Sequence, residues 1–140
     1  MQSLINWIKQ LFGGMRNFPG IIAAKVTAIE KHPNADRLQI VELTDGTNTI
    51  GPVVCGAFNF EVGDNVALAL PGAIIPRNVH SDTHESFTLS KTAIRGIESQ
   101  GMICSGFELN LDESTEPKIL VLKPDTQLGA TFIKEMMKSE

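Results

Sequence analysis

The sequence contains few residues that could build a covalently or metal-stabilised fold. Only two of its 140 residues are cysteines, Cys55 and Cys104, and both lie in apolar runs typical of strands. They form no Cys-x-x-Cys pair, so the spacing gives no sign of a four-ligand zinc site. Free cysteine is among the most buried residue types, and disulfides are rare in reducing compartments. We therefore expect two buried, unpaired thiols, no metal and no cofactor.

Long apolar runs and an excess of basic charge are also missing. No apolar stretch approaches the ~20 residues that span a bilayer. The N-terminus has no basic region followed by a signal-type cleavage site, which predicts a cytoplasmic protein. Twelve Lys and Arg stand against 16 Asp and Glu, for a formal charge of −4. Nucleic-acid binding would therefore need a local cluster of cations, because the field of the whole molecule is negative.

The remaining composition is that of an ordinary soluble domain, with 42% hydrophobic and 20% charged residues. Residues 1–20 are expected to form an amphipathic helix followed by a linker that starts at Gly13-Gly14. The helix is predicted from apolar residues at helical spacing, namely Leu4, Ile5, Ile8, Leu11 and Phe12. Its polar side carries only Lys9, which disfavours a membrane anchor and favours packing on the domain or on a second copy.

Most of the chain after residue 20 predicts short strands. Alternating or apolar runs cover residues 21–29, 37–43, 66–70, 87–95, 101–105 and 119–122, and a further strand ends at Cys55. Asp45-Gly46 predicts a hairpin turn, and Gly51-Pro52 predicts a bulge or an edge position. Two short helical pieces are also expected: a single turn at residues 56–59, and a C-terminal helix carrying Phe132, Ile133, Met136 and Met137.

This pattern predicts an all-β fold. The length between residues 21 and 105 fits a five-stranded Greek-key OB-fold barrel, with short N- and C-terminal helices and an extra C-terminal strand. Periodicity alone leaves an SH3-like barrel or a small sandwich open. The expected organisation is a helix and linker over 1–20, the barrel over 21–111, and an extension over 112–140 that packs on the barrel.

Four strings of residues carry information beyond architecture. They are residues 32–38 (HPNADRL), 54–59 (VCGAFN), 70–76 (LPGAIIP) and 94–105 (IRGIESQGMICS). In this order and spacing the chain resembles the tRNA-binding domain shared by free-standing bacterial tRNA-binding proteins and methionyl-tRNA synthetase C-termini. It resembles most closely the same domain at the N-terminus of the phenylalanyl-tRNA synthetase β subunit. The resemblance implies an OB-fold that recognises the shape of tRNA and has no catalytic centre. It also implies a homodimer, as in the free-standing relatives, or a synthetase partner.

The resemblance and the chemistry of the side chains together predict six RNA-binding residues: Asn34, Arg37, Lys91, Arg95, Ser99 and Met102. Guanidinium groups suit phosphates, and amide or hydroxyl groups can reach a 2′-hydroxyl. Other roles stay open for each. Arg95 could pair with Glu98 or Asp36, and Met102 could belong to the core. Asn34 could close an Asx-turn, and Ser99 could make a strand-end bond. With Lys31 included, four phosphate contacts would give a log K versus log salt slope of about −3 to −4.

Three rival functions stay open. The domain could have lost RNA affinity and serve as a docking module of a synthetase complex, which would suit the net charge of −4. It could instead be a barrel that binds a small ligand or an oligosaccharide. An enzyme would need a catalytic constellation, and the sequence shows none. His80, Asp82 and His84 lie in a polar loop without a fourth ligand, and His32 is expected to be solvated.

Overall fold

The computed structural model describes residues 17–138, and this part of the chain is built from antiparallel strands. The strands are β1 (Asn17–Lys31), β2 (Gln39–Thr44), β3 (Thr49–Cys55), β4 (Asn65–Ala69), β5 (Ile74–Ile75), β6 (Phe87–Thr88), β7 (Thr92–Ile94), β8 (Ile97–Ser99), β9 (Met102–Ile103), β10 (Val121–Leu122) and β11 (Thr131–Ile133). A 3-10 helix at Lys134–Met136 follows β11. The all-β prediction is confirmed.

Strand β1 organises the main sheet. Its residues Ile21 to Lys25 pair with β4, and its residues Lys25 to Lys31 pair with β2. Strand β11 pairs with the beginning of β1, at Asn17 and Ile22. The register with β2 shifts between Val26 and Ala28, so β1 is bulged there. A bulge bends a strand and increases its twist, which lets one long strand serve two parts of the sheet.

Two hydrophobic cores lie on opposite faces of β1 and β4. Ala24 and Val26 enter one core, and Ile21 and Ala23 enter the other, because successive strand residues point to opposite faces. Every residue of β4 is buried. The uninterrupted apolar character of 66–70 therefore reflects a strand covered on both faces, and alternation is found in the strands that are covered on one face only.

The predicted closed barrel is wrong in one respect. The main sheet runs in the order β10-β4-β1-β2-β3, and within residues 17–138 no backbone pairing joins β3 to β10. β3 instead lies beside the end of β8, and two hydrogen bonds connect them. One runs from Gln100 N to Pro52 O at 2.8 Å, and the other from Val54 N to the Ser99 hydroxyl at 2.9 Å. The bulge predicted at Gly51-Pro52 is confirmed, since β3 has one extra residue between the partners of Val41 and Leu43.

Other boundaries also differ from the predictions. The expected turn of helix at 56–59 is absent; Asn59 instead exchanges two 2.9 Å hydrogen bonds with the backbone of Ile119. The expected C-terminal helix is a strand, β11, followed by a short 3-10 helix. Phe132 of β11 is buried beside Phe18, with ring centroids 5.4 Å apart. Residues 17–20 belong to β1 and to no linker. The N-terminal helix prediction falls on residues outside the described part.

Both cysteines are buried and unpaired, as predicted. Burial raises the pKa of the Cys55 thiol to about 11 and that of Cys104 well above its usual value. Neither is therefore present as a reactive thiolate at neutral pH. Among residues 17–138 the structure contains no helical segment of the length and hydropathy that a bilayer span requires.

Candidate nucleic-acid interface

The tip of the β7–β8 hairpin presents an arginine in an unfavourable backbone conformation. Ile94 pairs with Ile97, so only Arg95 and Gly96 form the turn, with φ values of 52° and 89°. Two successive positive φ angles define a type I′ turn, which favours Asn, Asp or Gly at both positions. Gly96 suits this requirement and Arg95 does not. The side chain of Arg95 is therefore held at an exposed apex at some cost in backbone energy.

A buried histidine connects this hairpin to the turn after β1. His32 is 1% exposed, and its Nε2 lies 3.0 Å from the carbonyl oxygen of Ile94. Its Nδ1 accepts a 3.0 Å hydrogen bond from the backbone N–H of Asn34. A carbonyl can only accept and a backbone N–H can only donate, so the ring is neutral with its proton on Nε2. The expectation that His32 is solvated is wrong.

Asn34 makes a second link to the same hairpin. Its side-chain amide nitrogen donates to the carbonyl oxygen of Arg95 over 3.2 Å. The side-chain oxygen of Asn34 accepts no hydrogen bond from residues 17–138, so the alternative of an Asx-turn, which needs that oxygen as acceptor, is not found. Together, His32 and Asn34 hold residues 32–37 against residues 94–97, and we call these two segments the tip surface. They lie about sixty residues apart in the sequence.

Two arginines are exposed on the tip surface, Arg37 in the turn and Arg95 in the hairpin. Neither lies within 4 Å of a carboxylate of residues 17–138, so the pairing of Arg95 with Glu98 or Asp36 is not found. Asp36 instead pairs with Lys31 at 3.7 Å, and both side chains are largely exposed. An exposed pair of this kind contributes little. Cationic groups are thus available to an anionic ligand at this end of the molecule.

The other three predicted residues lie elsewhere. Lys91 is exposed just before β7, at the opposite end of the hairpin from Arg95. Met102 is half-buried in β9 and packs against the second core. Ser99 is 5% exposed, accepts the Val54 N–H and donates its only hydroxyl hydrogen to Gly101 O at 2.8 Å. Ser99 therefore has no hydroxyl hydrogen left for an RNA and serves to hold β8 beside β3.

Comparison with known proteins places this arrangement in a family. Residues 21–131 match the family model tRNA_bind, described as "Putative tRNA binding domain". The chain belongs to this tRNA-binding domain family. The match contains both segments of the tip surface and all six predicted RNA-binding residues.

Three curated relatives show the same relationship, and each is called "Phenylalanine--tRNA ligase beta subunit". The protein of Bdellovibrio bacteriovorus is 34% identical over 125 residues, which cover 89% of this chain and 14% of the relative. That of Syntrophus aciditrophicus is 41% identical over 113 residues, covering 81% and 13%. That of Chlamydia pneumoniae is 44% identical over 115 residues, covering 81% and 14%. The resemblance stated from the sequence is confirmed, and the chain matches only about one-seventh of these relatives' length.

Two anchoring residues of this tRNA-binding domain were not found from the sequence. His32 is one; His-Pro at the end of a strand was the available signal. Arg77 is the other: its Nε donates to Phe107 O at 2.8 Å, and its guanidinium carbon lies 3.9 Å from the Phe107 ring centroid. It also pairs with Glu113 at 3.1 Å. Arg77 thus anchors the 106–113 loop. Unlike that of Arg95, its guanidinium is occupied by contacts inside the protein.

The polar loop over 77–86 also has a structural role. The ring of His84 packs edge-on against Phe107 with centroids 4.9 Å apart. Residues 17–138 contain no group of three His, Cys, Asp or Glu side chains placed to hold a metal ion. The loop therefore contributes packing around Phe107.

Glu108 lies in a stretch of sequence with several other acidic residues, yet it is buried, with 7% exposure. Its Oε1 accepts hydrogen bonds from the backbone N–H and the hydroxyl of Ser105, both at 2.9 Å, while Ser105 Oγ accepts the Glu108 N–H. This is the reciprocal pattern of a capping box. Desolvation raises the pKa of Glu108 above its usual 4.5, although the Ser105 hydrogen bonds act in the opposite direction.

Glu108→Gln is expected to make the domain more stable than the wild type at neutral pH. A raised pKa means that the folded protein holds this proton more tightly than the unfolded chain does. The wild type is therefore favoured at acidic pH and loses stability relative to the variant as the pH rises above 4.5. Each unit by which the pKa is raised corresponds to about 1.4 kcal/mol. Urea unfolding between pH 4 and pH 8 measures the difference, and parallel pH profiles would contradict it.

Proposed function

We propose that this chain binds tRNA through the tip surface and contributes no catalysis of its own. The observation that supports this most strongly is the conformation of Arg95. A non-glycine residue at φ 52° costs about 1–2 kcal/mol relative to an ordinary conformation. Strain of this kind persists mainly where a function uses it. An exposed arginine that makes no ion pair within residues 17–138 suits the contact with an anionic ligand.

The geometry of the tip surface supports a nucleic acid as that ligand. Arg95 and Arg37 are guanidinium groups, whose donors fit the oxygens of a phosphate in a bidentate manner. The amide of Asn34 is exposed and donates through its nitrogen, and its oxygen accepts no hydrogen bond from residues 17–138, which suits an acceptor for a 2′-hydroxyl. The bond from His32 to Ile94 holds the two segments together in advance. A preformed surface of this kind binds at a lower entropic cost.

Lys91 and Met102 extend the proposed contact away from the apex. Lys91 lies four positions before Arg95, which is about 13 Å along a strand. Lys91 would therefore meet a different phosphate from Arg95 along the RNA backbone. Met102 offers its half-exposed thioether to a ribose or base, and Ser99 acts indirectly by holding β8.

The finer architecture and assembly are part of the same proposal. Sheet order and the long bulged β1 support an OB-type fold that is open between β3 and β10. The proposed body is residues 21–111, with the extension over 112–140 packing on it; the pairing of β10 with β4 and of β11 with β1 supports this division. The names of the relatives support an accessory role in a phenylalanine–tRNA ligase. A cytoplasmic location belongs to the same proposal. A homodimer would present two tip surfaces, and analytical ultracentrifugation tests that assembly.

The salt dependence of tRNA binding tests the proposal. Three phosphate contacts from Arg37, Lys91 and Arg95 predict a slope of log K against log salt of about −2 to −3. Replacing one of them by alanine should reduce the slope by about 0.7–0.9. Lys134→Ala is the matched control, because Lys134 is exposed and lies in the C-terminal 3-10 helix. Filter binding with bulk tRNA at several salt concentrations measures the slopes.

Absence of binding at the lowest salt concentration would overturn the proposal. That result would favour the docking-module alternative, in which the net charge of −4 reflects lost RNA affinity. An equal loss of slope in Lys134→Ala and in the three cation variants would show that only net charge matters, and would remove the tip surface as the site.

A further inference from the structure

A second feature of the molecule lies behind the hairpin and shares only Ile94 with the tip surface. It is an open groove of about 660 Å³. Its walls are mainly apolar and include Phe87, Leu89, Met102 and Ile103, and Glu108 is among its few charged lining residues. Phe87, Leu89 and Met102 are partly buried against the second core, so the groove is a continuation of that core toward the surface.

Only one of the two carboxylate oxygens of Glu108 is hydrogen-bonded within residues 17–138. Both hydrogen bonds that Glu108 accepts are on Oε1, and Oε2 accepts none from residues 17–138. Oε2 is also not among the side-chain oxygens that are buried without a partner. A carboxylate oxygen in apolar surroundings gains most from a cationic partner that also brings apolar surface. The groove thus suits an amphipathic, basic segment.

The chain itself contains a segment of this chemistry. Residues 1–16 hold eight large apolar side chains, at Met1, Leu4, Ile5, Trp7, Ile8, Leu11, Phe12 and Met15. Their only charged side chains are Lys9 and Arg16, so the segment carries +2 while the rest of the chain carries −6. The apolar content suits the walls of the groove, and the positive charge suits its two carboxylates, Glu108 and Glu116, which outnumber its one lysine, Lys118.

The segment is also tethered close to the groove. A Cβ atom added to Gly20 would lie 3.0 Å from the Cβ of Ala73, and Ala73 O accepts the Leu89 N–H at 2.8 Å. Ile21 pairs with Ala69, and Ala69 pairs with Met102 on the neighbouring strand. Ile21, the fifth residue of β1, therefore lies about two strand spacings, or roughly 10 Å, from the groove wall. A tether this short gives the segment a high effective concentration at the groove.

We propose that residues 1–16 dock into this groove of their own chain, with the apolar side chains against Phe87 and Leu89 and a cationic side chain at Glu108. Docking would cover the apolar groove and support the β7–β8 hairpin from behind, because Thr92 and Ile94 line the same groove. The segment would thereby act as an intramolecular brace for the hairpin. This proposal does not depend on tRNA binding.

Trp7 is the only tryptophan in the chain and lies within the segment, so its fluorescence reports docking in the full-length protein. In the folded wild type we expect a blue-shifted emission and a severalfold weaker quenching by acrylamide than in urea. Ile8→Asp should abolish both effects, because it places a charge among the apolar side chains. Gln10→Asp is the matched control; it adds the same charge to the same segment and should keep Trp7 protected.

Substitutions in the groove test the other half of the contact. Leu89→Glu should expose Trp7 to quenching, with circular dichroism used to confirm that the sheet is intact. Glu108→Gln should make the protection of Trp7 weaker and less sensitive to salt, even though this variant is expected to be more stable. If Glu108 had only a structural role, Glu108→Gln would change the stability of the protein without weakening the protection of Trp7.

Three results would overturn the proposal. Trp7 could be as accessible in the folded wild type as in urea. Its protection could be unaffected by both Ile8→Asp and Leu89→Glu. Protection that grows with protein concentration, together with a dimer in sedimentation, would show that the groove holds the segment of a second copy. Protection that is independent of concentration in a monomer would support docking within one chain.

Discussion

Replacing His32 by alanine is expected to lower the free energy of unfolding by about 2–4 kcal/mol and to abolish most of the tRNA affinity. The substitution removes a ring that is 1% exposed and leaves a cavity between β1 and the hairpin. It also leaves the Ile94 carbonyl and the Asn34 N–H without their partner. A buried group that loses its hydrogen-bond partner costs about 1–3 kcal/mol.

The loss of affinity follows from geometry, because His32 contains none of the cations that would contact RNA. Without the ring, residues 32–37 and 94–97 are joined only by the exposed bond from Asn34 to Arg95 O. The two arginines would then no longer be held in a fixed relation, and ordering them would consume part of the binding free energy.

Urea denaturation and filter binding, carried out on the same preparations, measure both effects of His32→Ala. His80→Ala is the matched control, since His80 is exposed and surface substitutions usually change stability by less than about 0.5 kcal/mol. A variant at position 32 that folds with wild-type stability and binds tRNA normally would refute the role of His32 as the link between the two segments.

Arg95→Asn is expected to give the opposite pattern, with reduced affinity and no loss of stability. Loss of a bidentate guanidinium contact should weaken tRNA binding by about 1–3 kcal/mol. Asparagine tolerates the left-handed conformation that Arg95 adopts at φ 52°. Relief of backbone strain should therefore raise the free energy of unfolding by up to about 1 kcal/mol. The carbonyl oxygen that accepts from Asn34 is retained.

Arg77→Asn is the control for this experiment. It removes the same guanidinium from a site where the group is already bonded to Phe107 O and to Glu113. We expect this variant to lose stability and to keep its salt slope for tRNA. Should Arg95→Asn destabilise the protein while tRNA binding stays intact, Arg95 would have a structural role.

The sequence alone predicted the elements whose signals are local. Asp45-Gly46 predicted a hairpin turn, and Gly46 forms it at φ 97° beside an Asp45 carboxylate that accepts two backbone N–H groups. Gly51-Pro52 predicted the bulge in β3. The four strings with their spacing identified the family, because such strings combine turn, packing and surface requirements in one order. Asn34, Arg37 and Arg95 were selected in this way.

What only the tertiary structure decided concerns residues whose partners are far away in the sequence. His32 has the same local context whether it is solvated or buried; it is buried, and its ring is hydrogen-bonded to the carbonyl oxygen of Ile94, 62 residues later. Ser99 is held by Val54 over 45 residues. Glu108 is one of several acidic residues in its stretch of sequence, and only the fold shows that it is buried beside the groove. Local sequence determines which conformations a short segment favours, but burial depends on long-range packing, and burial decides whether a polar side chain is available to a ligand.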